Sequence, residues 1–172
     1  MKYLIVAALL TVCGATGAAL AQQNQVTADS NMPLDKQFAE EAACQVLASH
    51  QLGVLASGKG TDPAINRFGA RLNEVNADLQ DALNQIAQQQ HLQLPTRMTE
   101  EAQRDIEGMK TWTGEQFAQR FVPEIITRQE RLVALFRHQA ESGQVAEIKS
   151  FAGKMAPRLE ENLALARDLP LN

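Results

Sequence analysis

Between Pro63 and about Gln90, apolar residues return every three or four positions: Ile65, Phe68, Leu72, Val75, Leu79, Ala82 and Ile86. That period belongs to a helix with one buried face, and the face demands a partner surface. At 1.5 Å per residue the helix would run roughly 40 Å, so its partners must also be long. The cluster "SGKGTDP" breaks the chain before it. Thr61 or Asp62 can cap the helix, with Pro63 in the first turn, where a missing N–H costs nothing. Downstream, Pro95 in "HLQLPTRM" disfavours helix at Leu94 and ends the element.

The same reading covers most of the chain. A first helix is expected from about Asp35 to Ser57, a short helical piece from Thr99 to about Thr111 with Ile106 and Met109, and a third long helix from Gly114 to Ser142, with Gly143 placed to stop it. The last runs from Gln144 to about Asp168, with Ile148, Ala152, Met155, Leu159 and Ala166 on one face. Pro123 and Pro157 fall inside these two helices and are expected to bend them. Alternating strand patterns and hairpin turns are essentially missing. The fold class is therefore all-α, and the economical architecture is an antiparallel four-helix bundle over residues 34–170, with the short helix in the crossover between the second and third long helices.

The opening "MKYLIVAALLTVCGATGAALAQQ" has a basic start at Lys2, an apolar core from Tyr3 to Val12 and small residues up to Ala21. This pattern predicts a secretory signal peptide over residues 1–21, followed by a polar, flexible leader over 22–33. A competing reading lipidates Cys13, but Val12 stands where such signals want a small residue. Export to the periplasm is the expectation, with outer-membrane association or lipid anchoring second. No later apolar run is long enough to span a bilayer. Loss of Lys2 with the signal lowers the formal charge from −4 to −5, and no basic block follows. Nucleic acid and anionic headgroups are thus excluded as expected partners. Only Cys44 remains after cleavage, so an internal disulfide is impossible. A lone thiol of this kind reads as a small buried apolar residue.

Each long helix also carries an amide along its apolar stripe. Gln51 sits among Cys44, Leu47, Ala48 and Leu55, and Asn76 among Leu72, Leu79 and Leu83. Gln129 falls between Ile125 and Leu132, and Asn162 between Leu159 and Ala166. One central polar residue per helix is how bundles build metal sites, but those sites use Glu and Glu-x-x-His. Neutral amides bring no charge to offset an iron or manganese pair. None of His50, His91 and His138 stands three residues after a Glu, and His138 with Glu141 makes an incomplete pair at a helix end. The expectation is a polar core cluster that hydrogen-bonds internally or to water and fixes helix register, with a small ligand pocket as the alternative. No catalytic residue, metal ligand or cofactor is predicted.

The stretches "LDKQFAEEAA", "QLGVLASGKGTDPAINRFGARL", "GEQFAQRFV" and "ALFRHQAESGQVAEIKSFAGKMAPRLEENLALARDLP" carry a resemblance. In order and spacing the chain, from about Leu34 to Leu169, resembles a ferritin-like domain-of-unknown-function family of exported bacterial proteins, often labelled putative outer membrane protein. The resemblance implies a ferritin-like four-helix fold with no settled activity. It also implies histidines at the positions of Asn76, Gln129 and Asn162, and an acidic residue at Gln51. All four positions hold amides here.

Other chemistry finds little footing. A nucleophile elbow and a Cys/His signature are both missing. Gly58-Lys59-Gly60 lacks the strand and spacing of a phosphate loop, and Trp112 reads as a plug over a bundle end. The leading expectation is a non-enzymatic exported bundle related to the envelope or to stress. The alternatives are a metal-binding or oxidoreductase bundle with a degenerate site, and a module for an envelope protein partner.

Overall fold

The computed structural model describes residues 32–59 and 62–171. The expected signal peptide, Cys13 and most of the leader lie outside the described residues. Five helices follow in order: α1 (Met32–Gly58), α2 (Pro63–Gln89), α3 (Glu100–Lys110), α4 (Gly114–Ser142) and α5 (Ala146–Arg167). Among the described residues there are no strands, and no helix is long and apolar enough to cross a membrane.

Local chemistry sets most of the ends. Asp62 caps α2, its Oδ1 accepting the Ala64 N–H at 2.6 Å, with Pro63 in the first turn. The far end of α2 closes before Pro95 can act. His91 takes φ 55°, and the His91 and Leu92 N–H groups turn back onto the Gln88 and Ala87 carbonyls. Thr99 caps α3 through the Ala102 N–H, and Gly114 begins α4 at φ +60°, a conformation that side chains resist. Gly143 stops α4 for a different reason from the one expected: its φ of −58° is ordinary. A Cβ there would meet the Gln139 carbonyl oxygen at 2.6 Å. Pro123 and Pro157 sit on exposed faces, and both helices run through them.

The helices pack as two hairpins, α1 on α2 and α4 on α5, with α1 also against α4 and α2 against α5. Neighbours run antiparallel. Near the start of α1, Phe38 meets Phe136 late in α4 with ring centroids 5.0 Å apart. Arg71 reaches Glu161, and the later Asp78 reaches the earlier Arg158, both at 2.8 Å. These exposed ion pairs contribute little energy but agree on one register. α3 lies across α1 and α4. The α1–α2 contact is close because it is built from small residues. A Cβ on Gly69 would stand 2.8 Å from the Gly53 carbonyl oxygen and 2.7 Å from the Ser57 nitrogen.

This close contact corrects the expected face of α1. The buried row is Phe38, Ala42, Val46, Ser49, Leu52 and Ala56, whereas Gln51 is exposed and Cys44 and Leu47 are half-buried. The helix turns its alanines and glycine to α2, and Leu55 packs with the α3 side.

The core falls into two apolar clusters. One joins Leu52, Ala56, Phe68, Leu72, Ile106, Phe121 and Ile125, at the end where α3 packs. The other joins Phe38, Leu79, Leu83, Leu132, Phe136, Phe151 and Leu159. Aromatic rings tie each together: Phe117 stacks on Phe121 at 5.3 Å in the first, and Phe136 meets Phe151 edge-on at 5.7 Å in the second.

Candidate functional site

The two clusters meet at a polar seam. On α2, Asn76 separates Leu72 of the first cluster from Leu79 of the second, and on α4 Gln129 separates Ile125 from Leu132. On α5, Asn162 stands between Leu159 and Ala166, again one from each cluster. On α1 the equivalent residue is Ser49, between Val46 and Leu52. All four side chains are at most 2% exposed. Three of these, Asn76, Gln129 and Asn162, belong to the polar cluster expected from the sequence. Its fourth, Gln51, instead lines a surface groove of about 440 Å³ between α1 and α3, beside His50 and Lys110.

Hydrogen bonding at the seam is incomplete, which matters because buried polar groups normally have partners. Asn76 Nδ2 donates to its own helix, to the Leu72 carbonyl at 2.8 Å. Asn162 Oδ1 accepts from Arg71 Nε at 3.2 Å, while its Nδ2 has no partner. Gln129 is fully buried with neither end of its amide bonded, and the Ser49 hydroxyl is likewise unpartnered.

Two guanidiniums approach this level. Arg71 bridges Asn162 to the surface carboxylate of Glu161. Arg128, next to Gln129, is 6% exposed. Its Nε lies 2.5 Å from Glu124 Oε1, but the N–H is not aimed at that oxygen, so this is an ion pair rather than a hydrogen bond. Asp105 on α3 adds a second carboxylate, 3.7 Å from Arg128 Nη2.

Among the described residues, no three His, Cys, Asp or Glu side chains gather to hold a metal ion. The seam itself does not fit one either. It presents amides and a hydroxyl, one amide oxygen is already engaged by Arg71, and the nearest carboxylates are paired with Arg71 and Arg128. A metal pair requires anionic oxygens and imidazoles.

Other sites contain less chemistry. Cys44 is half-buried, with its Sγ 3.6 Å from the Arg97 carbonyl oxygen. Burial, helped by Glu40 and Glu41, pushes its thiol above the ordinary range, which suppresses the reactive thiolate. Trp112 is half-buried between α3 and α4, packs against the first cluster and carries the Arg120 guanidinium 4.3 Å above its ring.

The sequence reading misses Asp35. It is 1% exposed and accepts from Gln139 Nε2, from the Gln144 N–H at 3.3 Å and from the Val145 N–H at 3.2 Å. α5 has no cap from a side chain of its own. A carboxylate from the first turn of α1 takes that place.

Helices alone, with buried polar residues between two apolar clusters, define an all-helical domain among the described residues. Its sequence matches, over residues 17–169, the family described as a domain of unknown function (DUF4142), and the chain belongs to that family. No curated protein and no solved structure matches it.

Proposed function

We propose that this chain is an exported, non-catalytic helical module of the bacterial envelope, built as an antiparallel four-helix bundle of the ferritin type with α3 in the crossover. Its periplasmic address is supported by the basic start, apolar run and Ala19-Leu20-Ala21 ending of the first residues. The ferritin-type reading is supported by two antiparallel hairpins joined by a long connection that contains α3. One observation carries the non-catalytic reading. Ser49, Asn76, Gln129 and Asn162 are buried polar residues within the long helices, where such bundles place carboxylates and imidazoles, and they supply no anion and no base to activate the Ser49 hydroxyl. The module keeps a polar centre and gives up metal chemistry there.

The resemblance to exported proteins labelled outer membrane protein supports a role at that membrane, and no helix among the described residues is long and apolar enough to span it. The exposed large apolar side chains among the described residues are Leu34, Val54, Leu165 and Leu171, spread over α1, α5 and the chain after it.

Cell fractionation and N-terminal sequencing of the full chain test the address, with cleavage after Ala21 expected. A lipid on Cys13 or retention in the cytoplasm would overturn it. Elemental analysis of protein purified without chelators tests the seam. Stoichiometric iron, manganese or zinc surviving dialysis would overturn the non-metal reading.

A further inference from the structure

We infer that the seam is a binding site for internal water, a small ordered cluster held by Gln129, Ser49 and Asn162 at the junction of the two apolar clusters. The inference rests on the non-metal reading of the same residues. Gln129 offers an amide N–H pair and a carbonyl oxygen at zero exposure, and neither is bonded. Asn162 offers a free Nδ2, and Ser49 a hydroxyl that can both donate and accept. These groups lie on α4, α5 and α1, and none of them bonds to its own helix as Asn76 does.

The chemistry selects the guest. A cation would find only neutral amide and hydroxyl oxygens among these groups, and Arg71 occupies Asn162 Oδ1 and brings positive charge to the same side chain. An apolar guest would leave every group unpaired. Water donates and accepts at once, needs two to four polar partners, and is the usual occupant of such polar interior sites. Leu72, Ile125, Leu132 and Leu159, the neighbours of the seam residues along their helices, are all buried, so a water among them is cut off from solvent. Exchange must then wait for an opening of the helices, and long residence is the measurable consequence.

Oxygen-17 magnetic relaxation dispersion on the purified mature protein reads such residence directly. A dispersion step from at least one long-lived water is expected in the native protein, and its absence would overturn the inference. The variant Gln129→Leu together with Asn162→Leu should lose most of the step. An unchanged amplitude would place the long-lived water elsewhere and equally overturn the inference. Should the double variant fail to fold, Gln129→Met alone, with a native circular dichroism spectrum as its control, serves the same purpose. A high-resolution crystal structure gives an independent readout: water within hydrogen-bonding distance of the Gln129 amide supports the cluster, whereas a direct amide-to-amide bond refutes it. Failure of the underlying reading looks different, because a metal at the seam appears in the elemental analysis. A missing dispersion step in metal-free protein removes the water alone.

Discussion

Removing the Asp35 carboxylate should destabilise the protein far more than a first-turn surface acid would. In Asp35→Ala the first loss is the Gln139 amide's partner, and Gln139 is itself only 4% exposed. A hydrogen bond to a charged group contributes about 1.5–3 kcal/mol, and a buried donor stranded by truncation costs about 1–3 kcal/mol. The second loss is the substitute cap on the Gln144 and Val145 N–H groups. Helix caps contribute roughly 0.5–2 kcal/mol, and an anion near a helix N-terminus about 0.3–1 kcal/mol. These terms overlap, and relief of the desolvated carboxylate offsets part of them. The net expectation is about 2–4 kcal/mol, or roughly 6–12 °C in melting temperature for a domain of this size. Urea unfolding followed by far-ultraviolet circular dichroism measures it, with an unchanged slope showing that both states stay comparable. Asp35→Asn separates shape from charge. It keeps the volume but points an N–H pair at donors, and should lose at least half as much. A cost below about 0.5 kcal/mol for Asp35→Ala would refute the reasoning.

Three further outcomes are expected. Gly69→Ala should destabilise by about 1–3 kcal/mol because its Cβ meets backbone that cannot step aside; thermal unfolding at or above the native midpoint would show that α1 and α2 separate freely. Gln129→Leu should change stability by less than about 1 kcal/mol in urea unfolding, since no protein group bonds its amide, whereas a loss above about 2 kcal/mol would reveal a stranded protein partner. Iodoacetamide at pH 8 should modify Cys44 several-fold more slowly than a cysteine in a short peptide, because the raised thiol pKa leaves less thiolate at that pH; an equal rate measured by mass spectrometry would contradict the burial argument.

The strong stripe of α2 was readable because Leu, Ile and Phe mark its buried face against polar neighbours. α1 was harder because its buried face is rich in alanine, which is equally at home outside. Leu47 and Leu55, the bulky apolar residues of α1, lie toward α3 rather than α2, and Gln51 shares their side. A spacing signal was present: Phe38, Ala42, Val46, Ser49, Gly53 and Ala56 step by fours and threes. Taking small residues as contact residues would have found Ser49. The amides on α2, α4 and α5 were legible because each interrupts an otherwise bulky row. Asp35 was not, because an acid in a first turn is what a helix dipole favours anyway. Its second service, to a helix more than a hundred residues later, depends on a tertiary contact that no local pattern records.

Each apolar cluster is furnished by both hairpins. The α1–α2 half contributes Leu72 to one and Leu79 to the other, but neither is enclosed until Ile125 and Leu132 arrive from α4. As the chain is synthesised, the first half therefore emerges greasy along its whole length. It must wait through the α3 connection and then through α4 and α5 for its covering. Long-range closure of this kind slows folding and extends the time that sticky surface is bare. The final helix is thus the closing piece on which concealment of the first depends.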